Sequence, residues 1–137
     1  MDQTVIDKIK ASFARQSYMT TLGAELGHIE NGSVSIRALM SDHILQQHGF
    51  AHAGVAFSMG DSAAGYAALT LMPAEAEVLT TEMKINLLAP ARGNLIIAKG
   101  RVIKAGRRLT IVGADVFART GDQEKHIAIL QGTMISS

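Results

Sequence analysis

The chain has 137 residues, 47% of them apolar, with 13 Lys and Arg against 12 Asp and Glu and no cysteine. That length suits one domain with one core, and the composition excludes a disordered or fibrous chain. The missing thiol excludes disulfides and thiolate chemistry, and a pI of only 8.1 gives little general attraction to nucleic acid.

The opening segment, MDQTVIDKIK, carries acidic residues and no apolar run, so it reads as no signal peptide and a cytoplasmic protein is expected. Residues 2 to 19 suit an amphipathic helix. Asp2 can cap it, and Val5, Ile6, Ile9 and Phe13 share one face. Residues 22 to 30 suit a strand, and Asn31-Gly32 suits a hairpin turn with positive φ at both positions. Alternation from Ser33 to Met40 predicts the antiparallel partner strand.

A loop rich in His and Gln follows, and then the stretch that dominates the chain. Residues 53 to 72 carry one charge, Asp61, among Ala, Gly, Leu, Met and other uncharged residues. A bilayer span is rejected, because Asp61 sits near the middle and most neighbours are small. A buried helix from about His52 to Met72, ended by Pro73, is expected instead. An isolated carboxylate in such a helix must be paired, hydrogen-bonded or used.

Four strands follow, over about 77–89, 94–103, 108–118 and 126–135, mostly joined by short turns. On strict alternation Thr80 shares a face with Glu82 and Lys84, and Leu79 with Met83 and Ile85. Hairpin connections imply an antiparallel sheet. About six strands with one long apolar helix to cover imply an α+β fold in which the sheet curls round the helix. The polar face of residues 77 to 89 suggests a second subunit meeting it there. Between Met83 and Ala114 no acidic residue occurs, while Lys84, Arg92, Lys99, Arg101, Lys104, Arg107 and Arg108 do. Such a basic surface suits phosphates.

The element order, with HGFAHAGVAFSMGDSAAGYAA followed by TTEMKINLLAPARG, resembles the hot-dog-fold acyl-CoA thioesterases, most closely the phenylacetate-degradation (PaaI-type) branch. The resemblance runs from about Leu22 to the C-terminus, within one domain spanning residues 1–137 whose first 20 residues form the N-terminal helix. In that branch a His-Gly-Gly opens the central helix, and an Asp or Glu lies eight residues after the first Gly. Here His52-Ala53-Gly54 takes that place, and Asp61 lies eight residues after Ala53. The branch's apolar-x-Pro-Ala/Gly-x-x-Gly turn is approximated by Leu88-Ala89-Pro90-Ala91-Arg92-Gly93, with the final Gly one residue early. Ala53 replaces the first Gly, and Gln46 stands where the family often has Asn.

The resemblance implies hydrolysis of an acyl-CoA thioester, with a small aromatic or medium-chain acyl group. Backbone N–H groups of Ala53 and Gly54 would polarise the carbonyl. Asp61 would act as general base or nucleophile, His52 would orient the helix start, Gln46 would offer its amide, and Thr80 would hold the lytic water. Arg92, Lys104, Gly106, Arg107 and Arg108 are the expected coenzyme A contacts, and Phe57, Met59 and Tyr66 expected pocket walls. No cofactor or metal is expected, and neither a nucleic-acid nor a membrane partner. Asp61 lies about 12 Å along the helix from Ala53 by helix rise, too far for one helix to bring both to one carbonyl. A homodimer is therefore expected, and the resemblance implies further assembly into a homotetramer.

Two other readings compete. Gly60-Asp61-Ser62 resembles a serine-esterase block, with Asp122 and His126 as distant partners; it sits, however, inside a helical pattern rather than a strand-to-helix turn. A non-catalytic acyl-CoA-binding module of the same fold is the other. A zinc site from His43, His48 and His52 is rejected for lack of ligand spacing.

Overall fold

The computed structural model describes residues 1–137. The N-terminal segment is two helices, not one. α1 spans Gln3–Ala14, with the Asp2 carboxylate accepting from the Thr4 N–H at 2.9 Å, and α2 spans Ser17–Leu22. The chain turns at Arg15 and Gln16, and Gln16 becomes the N-cap residue of α2. β1 (Ala24–Glu30) and β2 (Ser33–Leu39) form the first hairpin. Only Gly32, at φ 75°, takes a positive φ in that turn; Asn31 does not.

The central helix, α3, spans Ala53–Leu69, and eleven of its 17 residues are buried. It ends at Thr70, three residues before Pro73. Its Ala and Gly residues matter for packing distance. A Cβ on Gly100 of the sheet would lie 2.3 to 2.5 Å from the backbone of Ala63 and Ala64. Helix and sheet therefore meet backbone to side-chain-free backbone at that point.

After α3 come β3 (Val78–Leu87), β4 (Leu95–Ala105), β5 (Leu109–Thr120) and β6 (Gln123–Ser136). The six strands form one antiparallel sheet in the order β1-β2-β4-β5-β6-β3. The inner face packs on α3 through residues such as Val34, Ile36, Ile96, Val112, Val116 and Leu130.

β3 is an edge strand, and a bulge resets its alternation. Thr80 pairs with Met134, but the next pair is Glu82 with Thr133, so Thr81 is the extra residue. Residues directly opposite across a ladder share a face. Thr80 thus turns inward with buried Met134, and Leu79 turns outward to 62% exposure. Strict alternation had put Thr80 beside Glu82 and Lys84; the bulge moves it to the helix side.

Candidate active site

Two pockets lie at opposite ends of α3 and β3. The first is built on the helix start. His52 has extended backbone angles, φ −59° and ψ 142°, and caps α3: its Nδ1 accepts the Gly54 N–H at 2.9 Å. Its carbonyl accepts the Val55 N–H. A ring nitrogen that accepts carries no proton, so the neutral imidazole is protonated on Nε2. Of the first three helical N–H groups only that of Ala53 remains unpaired. The expected pair of oxyanion donors, Ala53 and Gly54, is thereby reduced to Ala53, because the histidine side chain has taken the other.

Gln46 sits in the loop before the helix, which Gly49 turns at φ 84°. Its backbone N–H and carbonyl bond to Phe50 and Gly49, and its side-chain oxygen accepts from the N–H groups of His48 and Phe50. The oxygen is spent on the loop, so the amide NH2 is the half left for a ligand. Gln46, His52 and Ala53 border a cavity of about 480 Å³, whose other walls include Phe50, Leu87 and Leu88.

The second pocket, of about 300 Å³, holds Asp61 and Thr80. The Thr80 hydroxyl donates to Asp61 Oδ1 at 2.7 Å, a contact that only the bulge in β3 makes possible. Asp61 takes part in none of the chain's four ion pairs. Beyond it lies a polar cluster in which Tyr66, an expected pocket wall, is joined by Ser12 and Gln16, which sequence reasoning missed. The Tyr66 hydroxyl, on a side chain only 5% exposed, bonds to Ser12 Oγ at 3.0 Å and accepts from Gln16 Nε2 at 2.7 Å. The break between α1 and α2 places Gln16 there, and a continuous helical pattern gave no sign of that break. Ser62 donates to Gln16 Oε1 at 3.5 Å, and no histidine lines this pocket. His126 instead stacks on Phe117 with ring centroids 4.8 Å apart, its Nε2 3.0 Å from Asp115. The serine-esterase grouping is not assembled.

The remaining expected contacts are scattered. Tyr66 lines the Asp61 pocket, Met59 is fully buried in the core, and Phe57 stands exposed on α3. The Arg92 guanidinium lies 4.5 Å over the Phe50 ring, at the edge of the helix-start pocket. Lys104, Gly106, Arg107 and Arg108 form the β4–β5 hairpin and line neither pocket. Gly106 serves the turn, where a Cβ would meet the Leu109 carbonyl oxygen at 2.3 Å. The basic stretch is also less basic in space than along the chain. Arg101 pairs with Asp115 at 2.5 Å, and Lys99 lies 3.9 Å from Glu124, which Arg119 holds at 2.5 Å. The Arg119 hydrogen bond holds the Glu124 carboxyl below its usual range, outweighing burial, which raises it, with the charges of Lys99 and Arg119 lowering it further.

With that geometry, residues 48–125 match the family model of the thioesterase superfamily. The chain belongs to the thioesterase superfamily. It is a thioester hydrolase with the hot-dog fold. This thioesterase is 41% identical to a thioesterase family protein from Silicibacter pomeroyi, over 96% of this chain and 97% of that one, with a TM-score of 0.94. A protein of Saccharolobus solfataricus described as a candidate esterase is 29% identical over 85% of this chain and 76% of its own length. The E. coli PaaI protein of the phenylacetic acid degradation operon shares the fold, with a TM-score of 0.87 over 98% of this chain and 94% of that one at 18% identity. No helix is long and apolar enough to cross a membrane.

Proposed function

We propose that this thioesterase hydrolyses acyl-CoA as a homodimer, with each active site shared between two chains. The observation that carries the proposal is the separation of the two half-sites. Ala53 and Asp61 occupy different pockets of one chain. The free edge of β3 runs between them, with Thr80 at one end and Leu87 at the other. The open edge of a ten-residue strand is a template for a second copy. Leu79, Leu87 and Leu88, each at least half exposed, give that edge an apolar surface to cover. Antiparallel pairing about a two-fold axis between Met83 and Lys84 sets Thr80 of one copy opposite Leu87 of the other. The Asp61 pocket of one chain then faces the helix start of its partner.

In this site the thioester carbonyl accepts from the Ala53 N–H at the positive end of α3. Gln46 supplies a second donor through its amide. Thr80 holds one oxygen of Asp61, leaving the other to take a proton from water. Water oxygen bonds to the carbonyl carbon, and Asp61 receives the proton. The C–S bond then breaks, and the departing thiolate takes that proton. His52 positions the helix start and does not exchange protons in this scheme. The acyl group enters the Asp61 pocket, whose 300 Å³ and mixed lining of Leu69, Val78, Met134 and Tyr66 suit an aromatic or medium-chain group. Assembly of two dimers into a tetramer and a cytoplasmic location complete the reading.

A panel of aryl and aliphatic acyl-CoA substrates, with release of free thiol as readout, tests it. Wild-type protein should turn over at least one substrate, and Asp61→Asn should lose nearly all turnover while keeping fold and oligomeric state. Full activity in that variant would end the proposal.

A further inference from the structure

We infer that Gln16 and Gly65 set the breadth of the acyl group that this thioesterase accepts. The assignment rests on the reading above, in which the acyl group of an acyl-CoA enters the Asp61 pocket. That pocket runs along one side of α3. Asp61, Ser62, Gly65, Tyr66 and Leu69 all line it, and steps of three or four residues put them on one helix face. On one side β3 borders it, where Thr80 bonds to Asp61. On the other side stand Ser12, near the end of α1, and Gln16, at the corner between α1 and α2.

The corner is held from several directions. Ile9 of α1 and Met19 of α2, neither more than 1% exposed, anchor both helices in the core. Between them the Arg15 N–H donates to the Ser12 carbonyl at 3.1 Å, and the Gln16 N–H to that of Phe13 at 3.0 Å. Lys8 Nζ donates to the Ala74 carbonyl at 2.7 Å and also to that of Ala76, which ties α1 to the connection leading into β3. The two walls of the pocket are therefore fixed relative to each other, and the gap between them is a fixed width.

Gln16 is the residue that narrows this gap. As N-cap of α2 it makes no side-chain capping hydrogen bond. Its side chain turns to α3 instead, where Nε2 donates to the Tyr66 hydroxyl at 2.7 Å and Oε1 accepts from Ser62 at 3.5 Å. Ser12 bonds to the same Tyr66 hydroxyl at 3.0 Å. Each polar side chain of this wall thus has a protein partner, so the wall selects by bulk and asks for no polar group on the ligand. Besides Asp61 the pocket has one carboxylate, Glu77, an exposed residue just before β3.

Gly65 leaves the floor low. The nearest atoms to a Cβ there are Met134 Cε at 3.7 Å and Sδ at 3.9 Å, ordinary contact distances. A methyl fits, and it takes its volume from the pocket. Gly60, earlier in α3, is small for a different reason: a Cβ there would lie 2.8 Å from Leu130 Cδ1, so packing alone demands its size.

The test compares a one-ring and a two-ring acyl group, benzoyl-CoA and 1-naphthoyl-CoA, through the ratio of kcat/KM for the second to that for the first. Gln16→Ala should raise this ratio about tenfold, and Gly65→Ala should lower it about tenfold, the discrimination that one methylene in a pocket commands. Gln16→Met keeps the bulk and removes the hydrogen bonds; its ratio should stay within twofold of wild type. Calorimetric binding of the uncleavable thioethers S-benzyl-CoA and S-(1-naphthylmethyl)-CoA should shift in the same directions. A ratio that moves in Gln16→Met as it does in Gln16→Ala would overturn the inference, since hydrogen bonding would then decide. So would a ratio that neither alanine variant moves, or that both move the same way. Should Gln16→Ala fail to fold, Gly65→Ala decides, because its methyl has room and alanine favours a helix. Failure of the wild type to cleave any thioester would instead count against acyl-CoA hydrolysis, and thioether binding would still decide this assignment.

Discussion

The proposed sharing of the active site between two chains makes a quantitative prediction that a single-chain site does not. Ala53→Pro removes the one unpaired N–H at the start of α3 and nothing else the helix needs. Ala53 is the first helical residue, where proline is tolerated because its N–H has no intrahelical partner. His52 before it already has the extended angles that a residue preceding proline requires. Loss of one oxyanion donor should cost about 100- to 1,000-fold in kcat. Asp61→Asn should be similarly inactive. Co-refolding equal amounts of the two variants yields heterodimers as roughly half of all dimers, by random pairing. In each heterodimer one site takes Asp61 from the proline variant and Ala53 from the asparagine variant, and is fully wild type; the other site carries both lesions. The mixture should therefore recover roughly one quarter of wild-type activity, far above either variant alone. Thiol release before and after mixing measures this. If mixing recovers nothing while gel filtration shows dimers, each site lies within one chain and the two-fold arrangement is wrong.

Thr80→Val keeps the side-chain shape but removes the donor to Asp61; kcat should fall roughly 10- to 100-fold, as for a hydrogen bond to a charged group, with KM little changed and Thr80→Ser close to wild type. Gly100→Ala drives a methyl into the Ala63 backbone, which cannot swing aside. It should destabilise the fold by about 3 kcal/mol, read as a thermal midpoint lower by roughly 10 °C. Tyr66→Phe strips Ser12 and Gln16 of their shared partner; urea unfolding should show a loss of about 1–2 kcal/mol at unchanged m-value.

The parts of this thioesterase that were legible in its sequence are those governed by period and composition. A 17-residue helix with one charge, and strands separated by glycine turns, announce themselves through local pattern. The distance between Ala53 and Asp61 follows from helix rise, so their separation into different pockets could be read before any coordinates. What escaped depends on pairing between distant segments. The bulge at Thr81 exists only relative to β6, so alternation assigned Thr80 to the wrong face. The neutralisation of Lys99 and Arg101 depends on the register of β4, β5 and β6, which a charge run along the chain does not contain. The Gly54 N–H looked available because a histidine is a rarer cap than Ser, Thr, Asp or Asn. Gln16 was hidden by helical periodicity continuing across a break in the backbone.

The extra residue in β3 has a consequence for how this strand can vary. Without the bulge, a strand commits every second side chain to the interior along its whole length, and a change of phase anywhere would misplace them all. Thr81 acts as a clutch between two stretches of one strand. Met83 and Ile85 can stay in step with the core, while Leu79 and Thr80 keep a phase of their own. Insertion or deletion at Thr81 should thus turn the hydroxyl beside Asp61 in or out while the packing of the later residues stands.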